Sequence, residues 1–67
     1  MNLLINGEVK NLELSENRLL CLIQLLQLNP SRIVVELNGE IFQSTQFWDL
    51  TLHENDRIEF IHFMGGG

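Results

Sequence analysis

The chain has 67 residues, 45% of them hydrophobic and 19% charged. This allows one small domain, hiding only about 60% of the surface its unfolded chain would expose; the balance argues against disorder, and the size leaves little volume for a catalytic pocket beside a core. Nine acids against four basic residues (Lys10, Arg18, Arg32 and Arg57) give a net charge of −5, which repels phosphate backbones and argues against nucleic acid while favouring a basic face on a protein partner.

Cys21 is the single cysteine, so no internal disulfide staples the chain and a reducing compartment is expected. The opening Met-Asn-Leu-Leu-Ile-Asn has no basic region and too short an apolar run for a signal peptide. The longest apolar-rich stretch, Leu19 to Leu28, is interrupted by Gln24 and Gln27 and is far short of a membrane span. A soluble protein with no membrane partner is the expectation.

Leu3 and Ile5 share one face of an extended segment that ends at Asn6-Gly7. Asn-Gly suits a type I′ turn, whose two central residues need positive φ, so residues 2–14 are expected to form a hairpin with Val9 and Leu12 in the return strand. Ser15 is the expected helix N-cap, with Glu16 in the first turn. Leu19, Leu22, Ile23 and Leu26 then follow the i, i+3, i+4, i+7 spacing of a buried face, and Asn29-Pro30 is expected to end a helix of about three to four turns.

Ile33, Val34, Val35 and Leu37 form a β-branched run that ends at a second Asn-Gly, Asn38-Gly39, and Ile41-Phe42 begins the return. The near-continuous apolar run predicts a central strand covered on both faces. Residues 43–52 are less regular, with Phe47, Trp48, Leu50 and Leu52 as anchors and Trp48 expected to pack against the sheet. Glu54-Asn55-Asp56 marks a turn, and Arg57 to Phe63 reads as a last strand with Ile58 and Phe60 on one face, Ile61 and Phe63 on the other. Two strand pairs, one helix and a final strand predict an α+β fold. It is the β-grasp (ubiquitin-like) arrangement: a mixed four- to five-stranded sheet with one main helix on one face, spanning residues 1–64.

Residues 65–67 form a tail of three glycines after Met64. Glycine has no side chain to clash, and three of them extended reach roughly 10 Å. Such a filament can thread a narrow channel in a partner and deliver the carboxylate of Gly67 to a nucleotide. A carboxylate is a poor acyl donor; adenylation by ATP supplies an AMP leaving group, and a sulfur nucleophile can displace it to leave a thiocarboxylate. None of these steps asks the carrier for a catalytic side chain, so no catalytic residue is assigned and the chain is read as a carrier rather than an enzyme. The bland alternative is a frayed end.

With tail and element order in hand, the sequence resembles the thiamine-pathway sulfur carriers, the ThiS family. The resemblance rests on Ile5-Asn6-Gly7-Glu8, the short leucine-rich helix, Val35-Glu36-Leu37-Asn38-Gly39-Glu40-Ile41, Trp48, Leu52 with Asn55-Asp56-Arg57-Ile58-Glu59, and Met64-Gly65-Gly66-Gly67. It implies a β-grasp fold and an adenylyltransferase partner, related to ubiquitin-activating enzymes, that uses ATP to activate Gly67. It further implies thiazole synthase as the sulfur acceptor in making the thiazole of thiamine, with a sulfur donor such as a cysteine desulfurase. Gly66 and Gly65 would give unhindered access, and Phe63 and Met64 would contact the adenylating enzyme. Two departures stand out: Gln43-Ser44 where relatives often carry proline and a basic residue, and Asn55-Asp56 where Gly-Asp is common; asparagine also tolerates positive φ.

Cys21 reads as a half-buried structural thiol rather than a redox group, since no second cysteine or basic helper lies nearby. His53 and His62, with Glu54, Asp56 and Glu59 between them, match no metal-ligand spacing, so neither a metal nor a bound cofactor is expected. Leu20, Leu25 and Leu28 widen the helix stripe, and any exposed remainder would be a docking patch. Two other functions share the same donor end: the small subunit of molybdopterin synthase, and a ubiquitin-like modifier joined to lysines. An interaction domain with an inert tail is a third. A sequence without alanine, rich in asparagine and isoleucine, fits an AT-rich genome and hence a bacterial cytoplasm or a plastid stroma.

Overall fold

The structure, a computed structural model, describes residues 1–63. Five strands form one mixed sheet: β1 (Asn2–Ile5), β2 (Glu8–Asn11), β3 (Ile33–Leu37), β4 (Glu40–Phe42) and β5 (Arg57–His62), ordered β2-β1-β5-β3-β4. The helix α1 (Leu19–Leu25) joins the two hairpins. β5 enters last, parallel to β1 and antiparallel to β3. This is the expected β-grasp arrangement.

Both hairpins turn on their Asn-Gly pairs, with Asn6, Gly7, Asn38 and Gly39 all at positive φ. The asparagines do more than tolerate that backbone. Asn6 Oδ1 accepts the Phe60 amide at 2.8 Å, and Asn38 Oδ1 accepts the Arg57 amide at 2.9 Å. Each turn is thereby tied to the central strand β5. Asn38 Nδ2 also donates to Asp56 Oδ1, while Asp56 Oδ2 accepts the His53 amide and closes the last turn, in which Asn55 adopts φ 68°.

One face of the sheet carries the core. Leu3, Ile5, Ile33, Val35, Ile58 and Phe60 are buried there together with Leu19, Leu22 and Ile23 of α1 and with Phe47 and Leu52. Burying such side chains contributes about 1.5–3 kcal/mol each.

The helix is shorter than its leucine pattern predicts, two turns instead of three to four, and Ser15 is not its cap. The segment before it is extended instead: Arg18 bridges Thr51, the Leu52 amide donates to Asn17 O, and the Leu19 amide donates to Leu50 O. These bonds take up polar groups that a longer helix would have satisfied itself. At the other end Gln27 turns to φ 57°, the Gln27 amide donates to Gln24 O and the Leu28 amide to Ile23 O. That is a Schellman ending with glutamine in the left-handed position. Asn29-Pro30 does not end the helix. It opens a short 3-10 turn, Pro30–Arg32, whose Ser31 amide is capped by Asn29 Oδ1.

Two further expectations change. β3 does lie inside the sheet, between β5 and β4, but it is not covered on both faces: Val34 remains half-exposed on the side away from the helix. Trp48 does not pack on the sheet. Residues 44–49 form a 3-10 helix that turns Phe47 inward and leaves Trp48 62% exposed, its indole Nε1 donating to Thr45 O. Gln43, one of the two departures noted above, starts this helix by exchanging hydrogen bonds with Gln46.

Candidate functional site at the end of the central strand

Strand β5 carries the predicted docking residue Phe63 just beyond its last residue, His62. The alternation expected from sequence is present: Ile58 and Phe60 are buried against the helix, while Ile61 and Phe63 are 44% and 46% exposed on the open side. The Phe63 amide donates to Arg32 O at 3.2 Å, pinning this end of the strand to the start of β3. Met64, Gly65, Gly66 and Gly67, to which sequence reasoning gives docking, access and attachment, lie outside the described residues.

The register shows what surrounds Ile61 and Phe63. Val34 stands directly opposite Ile61, and Ile41 opposite Glu36 one row away, all on the open face. Val9 and Leu4 are paired on the same face at the far edge. Ile61 and Phe63 are exposed and lie beside half-buried Val34 as an apolar patch at the Phe63 end of the open face; exposed Ile41 lies one row on, and exposed Val9 lies apart, beyond Leu4 and Arg57. Sequence reasoning named Phe63 and placed Ile61 on its face without giving it a role; it missed Val34 and Ile41, because only the cross-strand register places those two nearby.

Toward the Asn-Gly turns the open face becomes charged. A shallow depression of about 170 Å³ lies there, bordered by Leu4, Glu36, Arg57, Glu59 and the turn glycines Gly7 and Gly39. A side chain built on either glycine would meet nothing, so positive φ rather than crowding accounts for both.

Cys21 and His53, also weighed from sequence, lie away from this face. Cys21 is half-buried on the helix and accepts a weak hydrogen bond from Ser15 Oγ at 3.7 Å. His53 approaches Asp56 at 4.0 Å on an exposed turn. Among the described residues no three histidines, cysteines or acids come together as a metal group, and no helix is long and apolar enough to cross a membrane.

Fold and surface together define a β-grasp domain that keeps its core under one helix and offers an apolar patch on the open sheet face at the end of its last strand. Comparison with known proteins gives that class a family. The ThiS family model matches residues 3–67. The crystal structure of the thiamine biosynthesis protein ThiS from Geobacter metallireducens superimposes with a TM-score of 0.82 at 35% identity, covering 100% of both chains. The sulfur carrier protein ThiS of Bacillus subtilis is 39% identical over 41 residues, 61% of this chain and 62% of that one. An uncharacterized protein, ycf40, of Pyropia yezoensis is 36% identical over 63 residues, covering 94% of this chain and 87% of its own. The chain also matches thiazole synthases along its whole length, spanning 20% of theirs. The chain belongs to the ThiS family.

Proposed function

We propose that this chain is the sulfur carrier of thiamine thiazole synthesis, and that Gly67 is the residue that carries the sulfur. The observation that carries this reading is the family match, which covers residues 3–67 and so includes Gly67. An adenylyltransferase converts the Gly67 carboxylate and ATP into an acyl-adenylate and pyrophosphate. The persulfide sulfur of a donor such as a cysteine desulfurase then displaces AMP to give an acyl disulfide, and a second thiol cleaves its S–S bond, leaving the thiocarboxylate on Gly67 and a disulfide between the donor and that thiol. That sulfur passes to thiazole synthase. The kinship with proteins named thiazole synthase supports this choice of acceptor over the dithiolene chemistry of molybdopterin synthase.

The carrier acts here as a co-substrate, and its own side chains are needed for recognition rather than for bond making. Ile61, Phe63 and their neighbours Val34 and Ile41 supply an apolar platform beside the root of the tail, where the adenylyltransferase grips the domain while Gly65–Gly67 enters its site. Met64 extends that contact. An amino-acid composition without alanine and rich in asparagine and isoleucine suits a bacterial cytoplasm or a plastid stroma.

Deleting Gly66-Gly67 tests the reading. The thermal unfolding midpoint should stay within about 1 °C, since no core residue is touched, while loading with sulfur falls to background. Retained loading after the deletion would overturn it. A denaturing blot separates the modifier alternative, which requires higher-mass adducts.

A further inference from the structure

Both hairpins turn on an asparagine followed by a glycine, Asn6-Gly7 and Asn38-Gly39. That dipeptide has a chemistry of its own. The glycine amide nitrogen can attack Cγ of the asparagine side chain, because glycine has no side chain to obstruct the five-membered ring that forms. The new C–N bond replaces the bond from Cγ to Nδ2, and ammonia leaves with the proton given up by the glycine amide. Water then opens the cyclic imide at one carbonyl or the other. The products are aspartate and isoaspartate, the latter with the main chain running through the side-chain carbon.

Both turns are exposed, and a Cβ built on either glycine meets nothing within 4 Å, so water reaches them freely. The backbone nevertheless opposes ring closure. Asn6 and Asn38 stand at φ 49° and 50°. Left-handed residues have ψ of about +47°, which sets the following nitrogen nearly opposite Cβ across the Cα–C bond. The two must lie on the same side to react, so the turn has to open first. What holds each turn shut differs. Asn6 makes one side-chain hydrogen bond among the described residues, with Oδ1 accepting the Phe60 amide at 2.8 Å. Asn38 makes two: Oδ1 accepts the Arg57 amide, and Nδ2, the nitrogen that would leave, donates to Asp56 Oδ1 at 2.9 Å. A bond to a carboxylate is the stronger kind, and Asp56 is itself fixed, since its Oδ2 accepts the His53 amide.

We propose that Asn6-Gly7 and Asn38-Gly39 are latent sites of imide formation and deamidation in this chain, and that Asp56 guards the second of them. The products differ too. At position 6 an aspartate keeps the oxygen that accepts from Phe60. At position 38 it loses the donor to Asp56 and sets a second carboxylate at hydrogen-bond distance from the first, which destabilises the pair. Isoaspartate at either position lengthens a two-residue turn whose geometry fixes the strand register. None of this depends on the chemistry at Gly67.

The test incubates the chain at mildly alkaline pH, folded and in guanidinium chloride, and follows deamidation at both sites by peptide mapping with mass spectrometry. Unfolded, the two sites should react alike. Folded, Asn6 should react more slowly than when unfolded, and Asn38 about tenfold more slowly than Asn6, the worth of one charge-assisted bond. Asp56→Asn leaves one oxygen to serve two donors and should speed Asn38 severalfold relative to Asn6; a ratio taken within one molecule cancels changes in global stability. Equal rates folded and unfolded, or acceleration of both sites by the same factor, would overturn the proposal. Thermal unfolding gives a second reading. Asn38→Asp should lower the midpoint by roughly 4–8 °C, and Asn6→Asp should move it far less. Combining Asn38→Asp with Asp56→Asn should recover most of the loss, because one carboxylate and one amide again face each other. A loss that the exchange fails to recover would remove Asp56 from the role given to it.

Discussion

The two faces of the sheet are built from the same alternating strands and yet do opposite work. On β5, Ile58 and Phe60 are buried beneath the helix, whereas Ile61 and Phe63, equally apolar, stand in the open. On β3, Val35 is fully buried while Val34 and Glu36 face outward. Hydrophobicity alone does not separate these residues; the position of α1 does. The covered face holds the fold together, and the open face is the one proposed here for docking, so substitutions on the two should affect different measurements.

The largest effect is expected on the covered side. Phe47→Ala removes a fully buried ring and should cost about 3–5 kcal/mol, a third or more of the roughly 3–10 kcal/mol available to a domain of this size. Urea unfolding should show a midpoint far below that of the parent chain. Less severe is Asn6→Ala, which strips the partly buried Phe60 amide of its partner and should cost about 1–3 kcal/mol by the same measurement. Gln27→Gly should act in the other direction. It relieves the left-handed backbone at φ 57° and should raise stability by about 1 kcal/mol. Smallest in stability is Ile61→Ala on the open face, within about 0.5 kcal/mol of the parent, yet it should weaken docking to the adenylyltransferase measurably in calorimetry. If Ile61→Ala proved as destabilising as a core substitution, the division between the faces would fail.

Much of this division was legible in the sequence. Both Asn-Gly turns announce their hairpins because few other dipeptides accept two successive positive φ values. The alternation separates Ile58 and Phe60 from Ile61 and Phe63 onto opposite faces of β5, and the position of α1 decides which face is buried. The helix ends were not legible. Its start is fixed by long-range pairing of Asn17–Leu19 with Leu50–Leu52, which no local pattern reveals, and its end uses Gln27 where sequence rules look for glycine or asparagine. Trp48 misled for a related reason: of two adjacent aromatic residues in a 3-10 helix only one can point inward, and the fold chose Phe47. The site was half readable. Phe63 could be named from its place after the last strand, but Val34 and Ile41 became neighbours only once the register was known.

The account depends most on the chemistry assigned to the tail, and intact mass spectrometry addresses it directly. The full chain is incubated with an adenylyltransferase, ATP and a sulfur source, then weighed and fragmented. The account predicts a gain equal to the replacement of one oxygen by sulfur, located on Gly67 and dependent on ATP. No gain, or a gain that fragmentation places on Cys21 instead, would contradict it.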